Sequence, residues 1–358
     1  MKKILVKAYM NLNFGDDLFL KILFDRYTNV NWILETRKKI YKKVYKNYKN
    51  VKVYNFLPRL KKKLKIQEGY NIINGYDALV FIGGSIFMQD ERWQNSLEYR
   101  NQLTETFTNN NKPFFVIGSN FGPYTDEKFL EGYKLLLSKA EDVCFREIYS
   151  YNKFKEYKNM RVEPDIVFQL KQKKIVKKKN SIGISMIDLE DRTDLKVYKK
   201  VYLIKIKDIV EKGIEKGFNF TFFSFCEPEG DLKIINEVVN LIDKKYTEQI
   251  SIVNYNGNIE NFLLKFESME NIIGTRFHAC ILSQVFSQGL YPIIYSEKTY
   301  NVLKDIKLDK EYTYIKDLDK LDVNHLLNII SNNKLEDTNI FKKAEKQFEG
   351  LDSYVEKK

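Results

Sequence analysis

The sequence predicts an α/β protein made of two doubly wound domains facing each other across a cleft. Three observations predict it. Short, continuous apolar runs alternate with helical patterns along most of the chain, as in parallel sheets covered on both faces. A charged break, Lys171-Gln172-Lys173-Lys174-Ile175-Val176-Lys177-Lys178-Lys179-Asn180, reads as a linker, and the alternation restarts beyond it. The unusual residues fall in loops that follow expected strands, where such folds place their ligands. The expected divisions are residues 1–175, 176–330 and a polar, helical tail at 331–358.

In the first domain the expected strands are residues 4–8, 31–34, 51–55, 78–82, 114–118 and 142–145. Leu18, Ile22 and Arg26 lie on one stripe beside Phe19, Leu23 and Tyr27, at helical spacing. Segments 127–139 and 149–157 are further helix candidates. In the second domain, strands are expected at 181–186, 219–225, 250–254, 271–274 and 291–295. Helices are expected at 197–216, 232–245, 259–268 and 279–288. Strand–helix alternation on both sides of a linker makes two doubly wound units.

Size and composition limit the function classes. The chain has 358 residues, enough for two domains with substantial cores, and its 44% hydrophobic and 14% aromatic content argues against a disordered chain. No apolar run reaches the length of a membrane span. Lys7 ends the first apolar stretch too early for a secretory signal, so a cytoplasmic protein is expected. Cys144, Cys226 and Cys280 are scattered, with neither metal-ligand spacing nor a disulfide framework. A net charge of +12 draws anions: nucleic acid, acidic lipid or phosphorylated substrate. Residues 37–49 interleave basic side chains with Tyr41, Tyr45 and Tyr48, and Lys61, Lys62 and Lys63 follow. That pattern suits single-stranded nucleic acid or an acidic membrane surface, and equally a solvated helix face.

The most informative stretch is Gly274-Thr275-Arg276-Phe277-His278-Ala279, where an expected strand gives way to a helix. Unpaired N–H groups at such a junction welcome an anion, and Arg276 adds a planar fork matched to phosphate or carboxylate. His278 adds a group that exchanges protons near neutral pH; the alternative is a core histidine tied to a backbone carbonyl. Five other loops follow strands. Asn13, Gly15, Asp16 and Asp17 open the first helix, where one aspartate suffices as a cap and the other suits a general base. Gly83 and Gly84 allow either close wrapping of a ligand or a plain turn. Ser119 and Asn120 suit the lining of a polar pocket. Arg146 either points into the cleft or pairs on the surface with Glu147. Glu227, Glu229 and Asp231 suit sugar hydroxyls or ribose, or the capping of the next helix.

These blocks resemble the polysaccharide pyruvyl transferase family. The resemblance rests on Asn13-Phe14-Gly15-Asp16-Asp17, Phe81-Ile82-Gly83-Gly84, residues 118–123, Phe145-Arg146-Glu147, Glu163-Pro164-Asp165 and residues 274–279, in the family's order. It implies a GT-B-like fold, with two Rossmann-like doubly wound domains facing across a cleft. It also implies transfer of a pyruvyl group from phosphoenolpyruvate to sugar hydroxyls, forming a cyclic ketal and releasing phosphate. On that reading Arg276, Arg146, Gly274 and Thr275 hold the anionic donor, and His278 protonates its C3 carbon. Asp16 or Asp17 takes the hydroxyl proton. The scheme calls for no metal and no cofactor beyond the donor substrate. Expected partners are phosphoenolpyruvate and a sugar or lipid-linked glycan, with peripheral contact at the inner face of the membrane and no nucleic acid. His325 reads as structural. Two rivals share the features: a GT-B glycosyltransferase using a nucleotide sugar, and a non-enzymatic binder of anions or nucleic acid.

Overall fold

A computed structural model describes residues 1–55, 75–171, 173 and 175–357. They form two compact units. The first comprises residues 1–10, 16–169 and 341–358, and the second residues 11–15 and 170–340.

The first unit holds a seven-stranded parallel sheet. Its strands are β1 (Lys3–Lys7), β2 (Asn31–Thr36), β3 (Val51–Asn55), β4 (Ala78–Ile82), β5 (Phe114–Ser119), β6 (Asp142–Phe145) and β7 (Met160–Val162). Their spatial order is β3-β2-β1-β4-β5-β6-β7. β1 therefore lies between β2 and β4, in register Ile4 with Trp32 and Ile4 with Ala78. The order reverses between β1 and β4, the switch point at which doubly wound sheets open toward a ligand. Every residue of β4, β5 and β6 is buried, which explains their continuous apolar runs.

The helix Phe14–Arg26 has Asp16 and Asp17 in its first turn and Arg26 in its last, the arrangement the helix dipole favours. Asp126 caps the helix Glu127–Leu137 by accepting from the Lys128 N–H. A sixteen-residue helix, Trp93–Thr108, was not anticipated. It is largely polar and buries only Trp93, Leu103, Thr104 and Phe107, so its apolar stripe is thin. β7 was also unforeseen, being three residues long.

The chain end packs in this unit. The Gln347 side chain is buried; it accepts from the Gly118 N–H and donates to the carbonyls of Phe145, Glu163 and Pro164. Arg26 makes a two-pronged ion pair with Asp352.

The second unit repeats the plan with six parallel strands: β8 (Lys178–Ser185), β9 (Asn219–Ser224), β10 (Ile250–Asn254), β11 (Met269–Gly274), β12 (Gly289–Ile294) and β13 (Thr313–Tyr314). Their order is β10-β9-β8-β11-β12-β13, with the same reversal, here between β8 and β11. Its core gathers Ile182, Ile184, Phe220, Phe222, Ile273 and Ile293 from the strands with Ile206, Ile209 and Val210 from the helix Lys199–Glu215. The charged stretch at 171–180 is in part strand: Lys178, Lys179 and Asn180 begin β8, exposed where the strand runs beyond the core. Gln172 and Lys174 lie outside the described residues, as do Lys61, Lys62 and Lys63. The helix expected at 232–245 is Asp231–Val239. Among the described residues, no helix is long and apolar enough to cross a membrane.

The interleaved tyrosines correct the nucleic-acid reading. Tyr41 and Tyr45 are buried, and the Tyr45 hydroxyl donates to the Asp17 carbonyl. Tyr48 donates to Asp25. Tyr41 and Tyr45 serve the core, and Tyr48 is half-buried against it.

Candidate functional site

In the second unit the expected residues converge after β11. Ser185, the last residue of the adjacent β8, turns its hydroxyl toward the chain leaving β11 and accepts from the N–H groups of Thr275 and Arg276. Two donors expected to greet an anion are thus satisfied within the protein. The Thr275 hydroxyl is also used internally, bonded to the Tyr202 hydroxyl at 2.8 Å. Gly274 lies where a Cβ would meet the Cys280 sulfur, so its role is packing. Gly274 and Thr275 shape the turn.

Arg276 is buried and faces carboxylates of its own unit. Its Nε donates to Asp231 at 2.9 Å, Nη2 donates to the other Asp231 oxygen, and Nη1 donates to Glu229 at 2.5 Å. Burial opposes its charge, but Asp231 and Glu229 hold the guanidinium well above its ordinary pKa. Burial likewise opposes ionisation of Glu229, yet Arg276 brings that carboxyl below its usual range. Two carboxylates around one guanidinium leave a net negative group. Arg276 alone does not supply the fixed positive charge expected of it. Glu229 is committed to Arg276 and, at 3.4 Å, to the Asn13 amide. Glu227 is exposed and accepts from the Asn254 amide.

Positive charge gathers one strand over. Tyr295 follows β12, the other neighbour of β11, and the Arg192 guanidinium from the loop after β8 lies 4.8 Å from its ring centre. The Lys298 ammonium lies 5.9 Å from the Phe277 ring centre. Burial would raise the Tyr295 phenol, but Lys298, Arg192 and Arg276 together pull it below its ordinary value. Sequence reasoning missed Arg192, Tyr295 and Lys298. The rule that found the other loops would have found them, since all three follow strands.

His278 is half-buried, and its ring meets the edge of Phe277 at a centroid distance of 5.1 Å. Gly15 lies directly against the imidazole. Asn13, Phe14 and Gly15 belong to this unit, although their place in the chain suggested the other one.

In the first unit, Arg146 is buried and not on the surface. Its Nη1 donates to Asp165 at 2.9 Å and its Nη2 to the Asn120 side-chain Oδ1 at 2.7 Å, with both ionic side chains buried. Gly84 leaves room for that guanidinium, which a Cβ there would strike. Ser119 donates to the Gly83 carbonyl, and Glu147 accepts from Ser150. Arg146, Ser119, Asn120, Gly83 and Gly84 therefore make a mutually bonded network at the ends of β4, β5 and β6. Asp165, its anionic member, stood in the sequence without an assigned role.

Asp16 and Asp17 separate clearly. Asp17 is sealed, with no exposed surface, whereas Asp16 retains a little and lies beside Gly83 at the carboxyl end of β4. Among the described residues, no group of three His, Cys, Asp or Glu side chains is placed to hold a metal ion.

A family model described as polysaccharide pyruvyl transferase matches residues 13–287. The chain is 22% identical over 285 residues to the amylovoran biosynthesis protein AmsJ of Erwinia amylovora. That match covers 73% of this chain and 65% of AmsJ, so the chain spans less than two thirds of that relative's length. Among solved structures it is similar to a UDP-GlcNAc 2-epimerase from Methanocaldococcus jannaschii, with a TM-score of 0.60 and 14% identity over 98% of this chain and 99% of the other. It is similar also to the ADP-heptose lps heptosyltransferase II of E. coli, with a TM-score of 0.51 and 10% identity over 96% and 100%. At such identities the likeness shows the fold, which is the GT-B-like α/β class.

Proposed function

Because the chain belongs to the polysaccharide pyruvyl transferase family, we propose that it moves a pyruvyl group from phosphoenolpyruvate onto two hydroxyls of a sugar in a cell-surface glycan or its precursor. Membership supports a transferase of polysaccharide modification; the donor and the ketal product are our reading. The observation that carries it is the His278 imidazole lying flush with Gly15, the residue immediately before Asp16 in the chain. The candidate acid is thereby seated against the turn that the motif residues 13–15 make.

The roles follow from charge and exposure. Phosphoenolpyruvate is a carboxylate and a phosphate joined through an enol. Arg192 and Lys298 supply the positive charge it needs, with the Tyr295 hydroxyl beside them. Arg276 braces the turn that presents His278. The protonated imidazole delivers its proton to C3, and positive charge develops at C2. A sugar hydroxyl adds to C2 as Asp16 accepts its proton, and the C2–O bond to phosphate breaks. A second hydroxyl then closes the ketal. Of the two hydroxyl protons, one ends on the new methyl group, by way of His278, and the other on phosphate. Asp17, sealed in the core, takes no part. The acceptor is a glycan, lipid-linked or free.

Purified protein with phosphoenolpyruvate and candidate glycans tests the reading through phosphate release and the mass of the product. Thermal stabilisation by phosphoenolpyruvate, but not by UDP- or GDP-sugars, is the companion result. Stabilisation by nucleotide sugars alone, without phosphate release, would replace the reading with that of a glycosyltransferase.

A further inference from the structure

We propose that residues 13–15 form a clamp that orients the His278 imidazole, making Phe14 and Gly15 positioning residues for the proton-transfer step. The proposal rests on the reading of His278 as the acid.

Phe14 is the anchor. Its side chain has no exposed surface and enters a socket of Phe225, Tyr255 and Phe262, with ring centres 5.4, 5.1 and 4.3 Å away. Its N–H donates to the Phe225 carbonyl at 2.9 Å, so backbone and side chain are held at once. The Asn13 side-chain Oδ1 accepts from the Gly15 N–H at 3.1 Å and closes the turn. Those constraints deliver Gly15 against the imidazole. A Cβ on Gly15 would sit 1.9 Å from Nδ1, 2.4 Å from Cγ and 2.5 Å from Cε1 of His278.

The ring therefore lies on the bare α-carbon, and any side chain there must displace it. The obstacle matters. At Gly289, by contrast, a Cβ would meet the Ile330 carbonyl and the Asn271 amide, so a side chain there would disturb the fold itself. At Gly15 the nearest obstacle is a side chain and not backbone, so the expected damage is to the orientation of that ring. Edge contact with Phe277 guards another side of the ring. A hydrogen donor must point at the carbon it protonates, and a misplacement near 1 Å can cost on the order of 10²-fold in rate.

The test uses the full chain labelled with ¹⁵N-histidine. The sequence has two histidines, so the ring-nitrogen spectrum contains two residues. His325, exposed and paired with Glu311 at 3.5 Å, is the internal reference. Gly15→Ala should move the His278 resonances and leave those of His325 in place, with the melting temperature retained. It should lower kcat on the order of 10²-fold with little change in KM for phosphoenolpyruvate. Phe14→Leu, which keeps an apolar plug but loses the ring contacts, should shift the same resonances and lower kcat by a smaller factor. Unmoved His278 resonances in both variants overturn the clamp. If Gly15→Ala fails to fold, the packing is structural; the inference then stands or falls on the Phe14→Leu resonances. If the wild-type protein releases no phosphate from phosphoenolpyruvate, the functional reading fails, while the resonances still decide the clamp.

Discussion

Arg276 and Asp231 form a two-pronged, buried ion pair, with Nε and Nη2 of the guanidinium each donating to a different carboxylate oxygen. Asp231 also accepts from the N–H groups of Phe225 and Cys226, so the pair ties the loop after β9 to the turn after β11. Removing the carboxylate leaves a guanidinium with a single carboxylate partner in a dry setting. Asp231→Ala should lower stability by roughly 3–5 kcal/mol, the usual cost of breaking a buried pair by removing one partner. Glu227→Ala, at an exposed position in the same loop, should stay within about 0.5 kcal/mol. Urea denaturation of both variants checks the contrast, and equal losses would refute it.

Glu229 gives the pH dependence. Arg276 outweighs burial and holds this carboxyl below its ordinary value of 4.5. A carboxyl depressed in the folded state contributes stability that is fully present above its unfolded pKa. That contribution is lost as pH falls through the folded value. The gap in urea midpoint between wild type and Glu229→Gln should therefore hold steady from neutrality down to the ordinary carboxylate range, then narrow in stronger acid. A gap that widens on acidification would reverse the assignment.

Gly84 and Arg146 make the corresponding test in the first unit. A Cβ at Gly84 would lie 2.4–2.6 Å from the guanidinium. That guanidinium cannot swing aside without leaving Asp165 and Asn120. Gly84→Ala should thus cost about 1–3 kcal/mol through overpacking, seen as a lower melting temperature. Gly84→Ala at wild-type stability would mean that Arg146 is held less firmly than its bonds indicate.

Kinetics should separate the proton donor from the anion holders. His278→Gln should lower kcat by about 10²–10⁴-fold, the range for a general acid, with KM for phosphoenolpyruvate little changed. Arg192→Ala and Lys298→Ala should each raise that KM about tenfold, the loss of one charge-assisted contact. Initial rates of phosphate release provide both constants. An unchanged KM in both cation variants would move the donor away from Tyr295.

Much of the fold was legible because periodicity is local. The apolar runs of β4, β5 and β11 are buried on both faces, and such runs stand out in the chain. The polar helix Trp93–Thr108 escaped because few of its residues touch the core. Residue chemistry in the loops was legible too: Arg276, His278, Asp16 and Arg146 all follow strands. Their partners were not. Arg146 could as well have met Glu147, its neighbour in sequence, as Asp165, which is nineteen positions away. Tyr41 and Tyr45 suited a binding stripe or a solvated helix face equally, yet both are buried, and the Tyr45 hydroxyl bonds the first helix.

The sequence by itself determined the two runs of strand–helix alternation, the ends of strands where chemistry collects, and the family motifs at Asn13 to Asp17 and Gly274 to Ala279. Only the tertiary structure decided that Arg276 is spent on Asp231 and Glu229, that Asp17 is sealed while Asp16 is not, and that Gly15 rests on His278. The physical reason is one of range. Backbone periodicity and turn chemistry act over a few residues, whereas pairing and burial depend on groups that packing brings together from as far apart as Gly15 and His278.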